Sequence, residues 1–126
     1  MKALVIDDSR AMRRIVSRLL HDLGYTTEEA GDGQQALDRL AEESFDLACI
    51  DWNMPVMDGL SFVYAVRERR EWRDMTLMMV TTESEHDQIV RALAAGAHEY
   101  LIKPFTPDAL KAKLDLLGLL PARETA

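Results

Sequence analysis

The chain has 126 residues, enough for one domain, and 48% are hydrophobic, enough to bury a core without staples. Fifteen Lys and Arg against 22 Asp and Glu give a formal charge of −7, which argues against gripping a nucleic-acid backbone or an anionic membrane, since both reward surplus cations. The one cysteine, Cys49, excludes an internal disulfide and suits a reducing cytoplasm; Asp7 and Asp8 interrupt the first apolar stretch, so it does not read as a signal segment, and no apolar run approaches the roughly 20 residues a bilayer crossing needs.

Ala3-Leu4-Val5-Ile6 is continuously apolar, as a strand covered on both faces should be. Met12, Ile15, Val16, Leu19, Leu20 and Leu23 then recur at three- and four-residue spacing, which predicts a helix with one apolar stripe, stopped at Gly24. A weaker strand lies near Thr26 to Ala30. The next helix starts near Gly33 and carries Ala36, Leu37, Leu40 and Ala41. Leu47-Ala48-Cys49-Ile50 is a third strand, with Cys49 as a small core residue. Asp58 reads as the N-cap of a helix bearing Phe62, Val63 and Val66. Leu77-Met78-Met79-Val80 is a fourth strand. Ser84-Glu85-His86-Asp87 reads as a capping box opening a helix that buries Ile89, Val90 and Leu93 and ends at Gly96. Glu99-Tyr100-Leu101-Ile102 is the fifth strand. Thr106 as N-cap and Pro107 as first helical residue open a last helix with Leu110, Leu114 and Leu117. Pro121 to Ala126 reads as a frayed tail after a domain of residues 1–120.

Strand and helix alternate five times, which predicts an α/β fold: a doubly wound (βα)5 parallel sheet with helices on both faces. In such sheets ligands bind at the carboxyl ends of the strands. Those ends carry Asp7-Asp8, Asp51, Thr81-Thr82 and Lys103-Pro104. Taken singly each has a plain structural use: Asp8 or Ser9 as the cap of the first helix, Thr81 as an ordinary strand end, Lys103 as a solvated charge. Taken together, three carboxylates at one edge repel unless a cation neutralises them. Mg²⁺ suits such a site, because it accepts one or two carboxylates and leaves room for a phosphate. A zinc site is disfavoured: the histidines are scattered and Cys49 has no companion. A carboxylate can attack phosphorus to give an aspartyl-phosphate, and Asp51 is the best candidate. Lys103 can supply positive charge and Thr81 a hydroxyl hydrogen bond.

Four stretches then carry a resemblance: Val5-Ile6-Asp7-Asp8-Ser9, Asp51-Trp52-Asn53-Met54-Pro55-Val56-Met57-Asp58-Gly59, Thr81-Thr82-Glu83 and Lys103-Pro104-Phe105. In this order and spacing the chain resembles the response-regulator receiver domains of two-component signalling, most of all the stand-alone chemotaxis (CheY-like) type. The resemblance implies a flavodoxin-like strand order 2-1-3-4-5 and a phosphoacceptor at Asp51. It implies Mg²⁺ held by the side chains of Asp8 and Asp51, by Asp7 through a water, and by the backbone carbonyl of Asn53. Thr81 and Lys103 would contact the phosphoryl group, and the Lys103–Pro104 bond would be cis. Thr81 and Tyr100 would form the switch. Asn53 and Glu83, two residues past Asp51 and Thr81, would flank the hydrolytic water and set a phosphate lifetime of seconds to minutes.

The partners implied are a histidine kinase or phosphotransfer protein and a downstream protein, with the flagellar motor switch as the typical target. No nucleic acid or membrane is expected, the place is the cytoplasm, and no enzymatic turnover is expected beyond self-phosphorylation and autodephosphorylation. Met1 and the lack of a basic output region favour a stand-alone module over a receiver excised from a transcription factor or hybrid kinase. A true phosphatase is a third reading, for which Asp51-Trp52-Asn53 is a poor motif. Arg10, Arg13, Arg14 and Arg18 read as a solvated face of the first helix or as a dock for an acidic partner.

Overall fold

A computed structural model describes residues 1–83 and 85–121. Its elements run β1 Lys2–Ile6, α1 Arg10–Asp22, β2 Thr26–Ala30, α2 Gly33–Glu42, β3 Leu47–Ile50, α3 Gly59–Arg67, a 3-10 turn Arg70–Trp72, β4 Thr76–Thr81, α4 His86–Ala95, β5 Glu99–Ile102 and α5 Pro107–Leu116. All strand pairs are parallel and the order is β2-β1-β3-β4-β5, the flavodoxin-like order that was expected. The reversal of order lies between β1 and β3, so the crevice there is where such sheets receive ligands.

Alternate residues of each strand face opposite sides, and this splits the core in two. Leu4, Ile6, Ala48, Ile50, Leu77, Met79 and Tyr100 face α2, α3 and α4, whose Ala36, Leu40, Phe62, Val66 and Ala92 are buried with them. Ala3, Val5, Leu47, Cys49, Met78, Val80 and Leu101 face α1 and α5, through Val16, Leu20, Leu110 and Leu114. Burial pushes the Cys49 thiol up to about 12, so it is a packed core group and not a reactive one.

The helix starts follow local chemistry. The side chains of Ser9, Asp32, Asp58 and Thr106 accept from the backbone N–H three residues on, as N-caps do. Ser9, not Asp8, caps α1, which leaves the Asp8 carboxylate for other uses. Gly24 and Gly96, at φ +101° and +124°, follow α1 and α4 where the chain must turn left-handed. The capping box falls differently: Glu85 is the N-cap of α4 and makes no side-chain capping bond, while Ser84 lies outside the described residues.

Two apolar stripes are narrower than their spacing implied. On α4 only Ala92 is buried; Ile89 is half-buried, and Val90 and Leu93 are 48% and 42% exposed. The short Ala92 side chain is what presses into the core, which leaves its larger neighbours on the flank. On α1 the contact centres on Val16 and Leu20, and Ile15 at its edge is exposed, as is Ala41 on α2. At the other end of the chain Leu119 and Leu120 pack on the α1/α5 core, and the Tyr25 hydroxyl donates to the Leu119 carbonyl at 2.5 Å. Of the tail expected over Pro121 to Ala126, residues 122–126 lie outside the described residues.

A polar clamp ties α3 to the α4–β5 connection. The Arg67 guanidinium donates to the carbonyls of Gly96, Trp72, Arg73 and Met75. His98 Nδ1 accepts from the Leu77 N–H at 3.1 Å and lies 3.2 Å from Arg67 Nη2. A nitrogen that accepts cannot carry a proton, and burial together with Arg67 holds His98 below the usual imidazole range. The folded state therefore prefers the neutral ring, so this contribution is complete above the ordinary value of 6.5 and is lost as pH falls below it. Between pH 8 and pH 5.5 the urea midpoint should fall more in the wild type than in His98→Asn, whose amide oxygen can accept without titrating. Equal falls would show that His98 is not coupled to folding.

Candidate functional site

Sheet-type bonding continues one residue beyond three of the strands. The Asp7 N–H donates to Ala30 O at 3.1 Å, the Asp51 N–H to Ile6 O at 2.9 Å and the Lys103 N–H to Thr81 O at 2.9 Å. The site residues are thus held by the ladder itself and share the rigidity of the core. The Lys103–Pro104 bond is cis, as the resemblance implied.

The structure brings Asp7, Asp8 and Asp51 together: one carboxylate oxygen of each lies within 4.8 Å of the others. Asp7 and Asp51 are buried and Asp8 is exposed. Lys103 Nζ donates to Asp7 Oδ2 at 2.9 Å and stands 3.7 Å from Asp51 Oδ1. Asp7 Oδ1 accepts from the Ser9 N–H, and Asp51 Oδ1 from the Trp52 N–H, both at 2.9 Å. Thr81 is fully buried at the adjoining strand end. Burial first, and then the charge of Asp7, raise the Asp51 carboxyl above its usual range; Lys103, the Thr81 hydroxyl and the Trp52 N–H oppose the rise. Three carboxylates against one ammonium leave surplus negative charge on hard oxygen donors, and this donor set fits a hard divalent cation such as Mg²⁺.

Asn53, in the loop after Asp51, meets Glu83, beyond the end of β4: the Asn53 amide donates to the Glu83 carboxylate. Glu83 has two further bonds through its backbone. Its N–H donates to Thr81 Oγ1 at 3.3 Å, and its carbonyl accepts from the Tyr100 hydroxyl at 2.7 Å. Tyr100 is buried, although β5 is an edge strand. Burial, aided by Glu83 and Asp51, pushes its phenol up to about 12.

Two site residues were not singled out from the sequence. A Cβ on Gly59 would come within 2.2 Å of the Asp51 carbonyl oxygen, and the Gly59 N–H donates to Trp52 O at 2.8 Å. Only glycine lets the loop return this closely against Asp51. Arg13 leaves the solvated arginine face: its guanidinium donates to Asp7 O at 2.7 Å and pairs with Glu29 at 3.1 Å. Arg10, Arg14 and Arg18 remain exposed.

The raised Asp51 carboxyl has a consequence for stability. Below its ordinary value of 3.8 the group is neutral in both states; as pH rises past that value the fold resists ionisation and stability is lost. In metal-free buffer at pH 7.5, Asp51→Asn should therefore raise the thermal midpoint. Added Mg²⁺ should raise the wild type more than the variant. A variant less stable than the wild type without metal would contradict the crowding described here.

A sequence profile of the response regulator receiver domain matches residues 3–115. The chain is 46% identical over 116 residues to the chemotaxis protein CheY of Pseudomonas aeruginosa, spanning 91% of this chain and 94% of that one. It is 42% identical over 119 residues to the chemotaxis protein CheY1 of Helicobacter pylori, spanning 93% and 96%. The chemotaxis response regulator CheY4 of Vibrio cholerae superposes with a TM-score of 0.86 at 40% identity, over 92% of this chain and 97% of that one. Among the described residues no helix is long and apolar enough to cross a membrane. The chain belongs to the response regulator receiver family, in its CheY-like chemotaxis type, and is a signalling phosphoacceptor domain rather than a metabolic enzyme.

Proposed function

We propose, from membership in that family, that Asp51 accepts a phosphoryl group from the phosphohistidine of a histidine kinase or phosphotransfer protein and thereby alters a face that docks a downstream protein. The observation that carries this reading is the convergence of Asp7, Asp8 and Asp51 within 4.8 Å with Lys103 against two of them. A carboxylate oxygen of Asp51 forms the new bond to phosphorus, and the bond to the donor imidazole breaks with its electron pair returning to nitrogen. Phosphoryl transfer asks mainly for positioning and charge stabilisation. Lys103 offers the ammonium, and the buried Thr81 hydroxyl offers a hydrogen bond to a phosphoryl oxygen. Asp8 and Asp51 would hold Mg²⁺ by their side chains, Asn53 by its backbone carbonyl and Asp7 through a water. A bound Mg²⁺ supplies the charge that lets carboxylates and phosphoryl oxygens share one site.

The output follows from Glu83. Its backbone joins Thr81 to Tyr100, so a phosphoryl group that engages Thr81 favours the arrangement with Tyr100 inside. Tyr100 is buried with its hydroxyl on the Glu83 carbonyl, the arrangement that such a shift would favour. The face so controlled comprises α4, β5 and α5, where Val90, Leu93 and Ile102 are exposed. Relatives named as chemotaxis proteins support a role in chemotaxis; the place would be the cytoplasm and the downstream partner the flagellar motor switch.

Acetyl phosphate with Mg²⁺ should label the wild type once per chain and leave Asp51→Asn unlabelled; labelling of the variant at the wild-type rate would move the site elsewhere. The hydrogen-bonded Asn53–Glu83 pair would flank the hydrolytic water at Asp51. The phosphorylated form should decay in seconds to minutes and more slowly in Asn53→Ala, followed by loss of label after donor removal. A half-life of hours in the wild type would rule out that role.

A further inference from the structure

Val56 is a costly residue type for its position on two counts. It is the one described non-glycine residue with positive φ, +67°, and a β-branched side chain is strained there. It is also 84% exposed, although apolar. The Met57 N–H donates to Pro55 O at 2.7 Å, closing a tight three-residue turn around Val56. The loop cannot relax out of this turn. Met54 and Met57 pack on the core on either side. The Gly33 N–H donates to Met57 O at 3.1 Å, and a Cβ on Gly33 would stand 2.7 Å from the Met57 side chain. Gly59 closes the loop against the Asp51 carbonyl. Asparagine would accept this backbone more easily and suit the exposure better. Strain retained where the surroundings enforce it points to a use, and this loop leads directly out of Asp51.

We propose that Val56 is a specificity-determining contact for the protein phosphodonor, an apolar side chain held rigidly outward to pack against the donor surface around its phosphohistidine. This rests on Asp51 being the phosphoacceptor. A protein donor must bring its histidine to Asp51 and so covers the loop that starts there, whereas a small donor does not. The chain contributes a fixed side chain, which loses little freedom on docking.

The test uses the full chain with Val56→Asn and Val56→Leu, two donors and a stability measurement. The donors are acetyl phosphate and the autophosphorylated histidine kinase that labels the wild type fastest. Val56→Asn should keep or raise the urea midpoint and keep labelling by acetyl phosphate within about twofold, while transfer from the kinase slows about tenfold in kcat/KM, the scale of one lost interface anchor. Val56→Leu, still apolar, should restore most of the transfer. Equal rates with the kinase for wild type and Val56→Asn, or equal losses with both donors, would overturn the proposal. A wild type that neither donor labels would instead overturn the phosphoacceptor reading, and this proposal with it.

Discussion

Three carboxylates gathered at one edge of a parallel sheet, two of them held there by its own hydrogen-bond ladder, are the constraint on which the rest of this structure depends. Asp7 and Asp51 cannot drift apart, because each backbone is tied to the neighbouring strand as one more rung. The repulsion is met only in part by Lys103, which the end of β5 brings between them. The site is therefore built for charge that arrives from outside. Gly59 and Arg13 serve the same arrangement at one remove, the first by letting the following loop lie against Asp51 and the second by fixing the carbonyl of Asp7.

A short polar route joins this edge to β5. Glu83 bonds to Asn53, Thr81 and Tyr100 through three different atoms. One residue thus touches the loop after Asp51, the hydroxyl beside it and the aromatic ring of β5. The incompletely buried α4 belongs to the same logic. It is anchored through Ala92 and tied by Arg67 at its far end, at Gly96, while Val90 and Leu93 stay exposed on its flank.

Much of this was legible in the sequence because it rests on local chemistry. Uninterrupted apolar runs marked β1, β3 and β4 as strands covered on both faces, and caps at Asp58 and Thr106 follow from residue type and position. The site was legible because strand ends of a parallel sheet must converge, which puts Asp7, Asp8, Asp51, Thr81 and Lys103 at one edge. What escaped depends on distance in space. Periodicity shows which residues share a stripe, not how wide the contact is, so Val90, Leu93 and Ile15 fit the stripe yet lie exposed at its edge. The Arg67–His98 contact joins residues 31 apart, and the split of Arg13 from its neighbours depends on where β2 presents Glu29. The left-handed turn at Val56 is invisible in a residue type that avoids it.

The central claim is that one carboxylate of the three takes the phosphoryl group while the other two serve it. Borohydride reduction converts an aspartyl-phosphate to homoserine and leaves free carboxylates intact. Peptide mass spectrometry of the acetyl phosphate-treated, Mg²⁺-loaded chain after reduction should find homoserine at position 51 alone. Homoserine at Asp7 or Asp8, or at no position in a chain that carries label, would contradict the account.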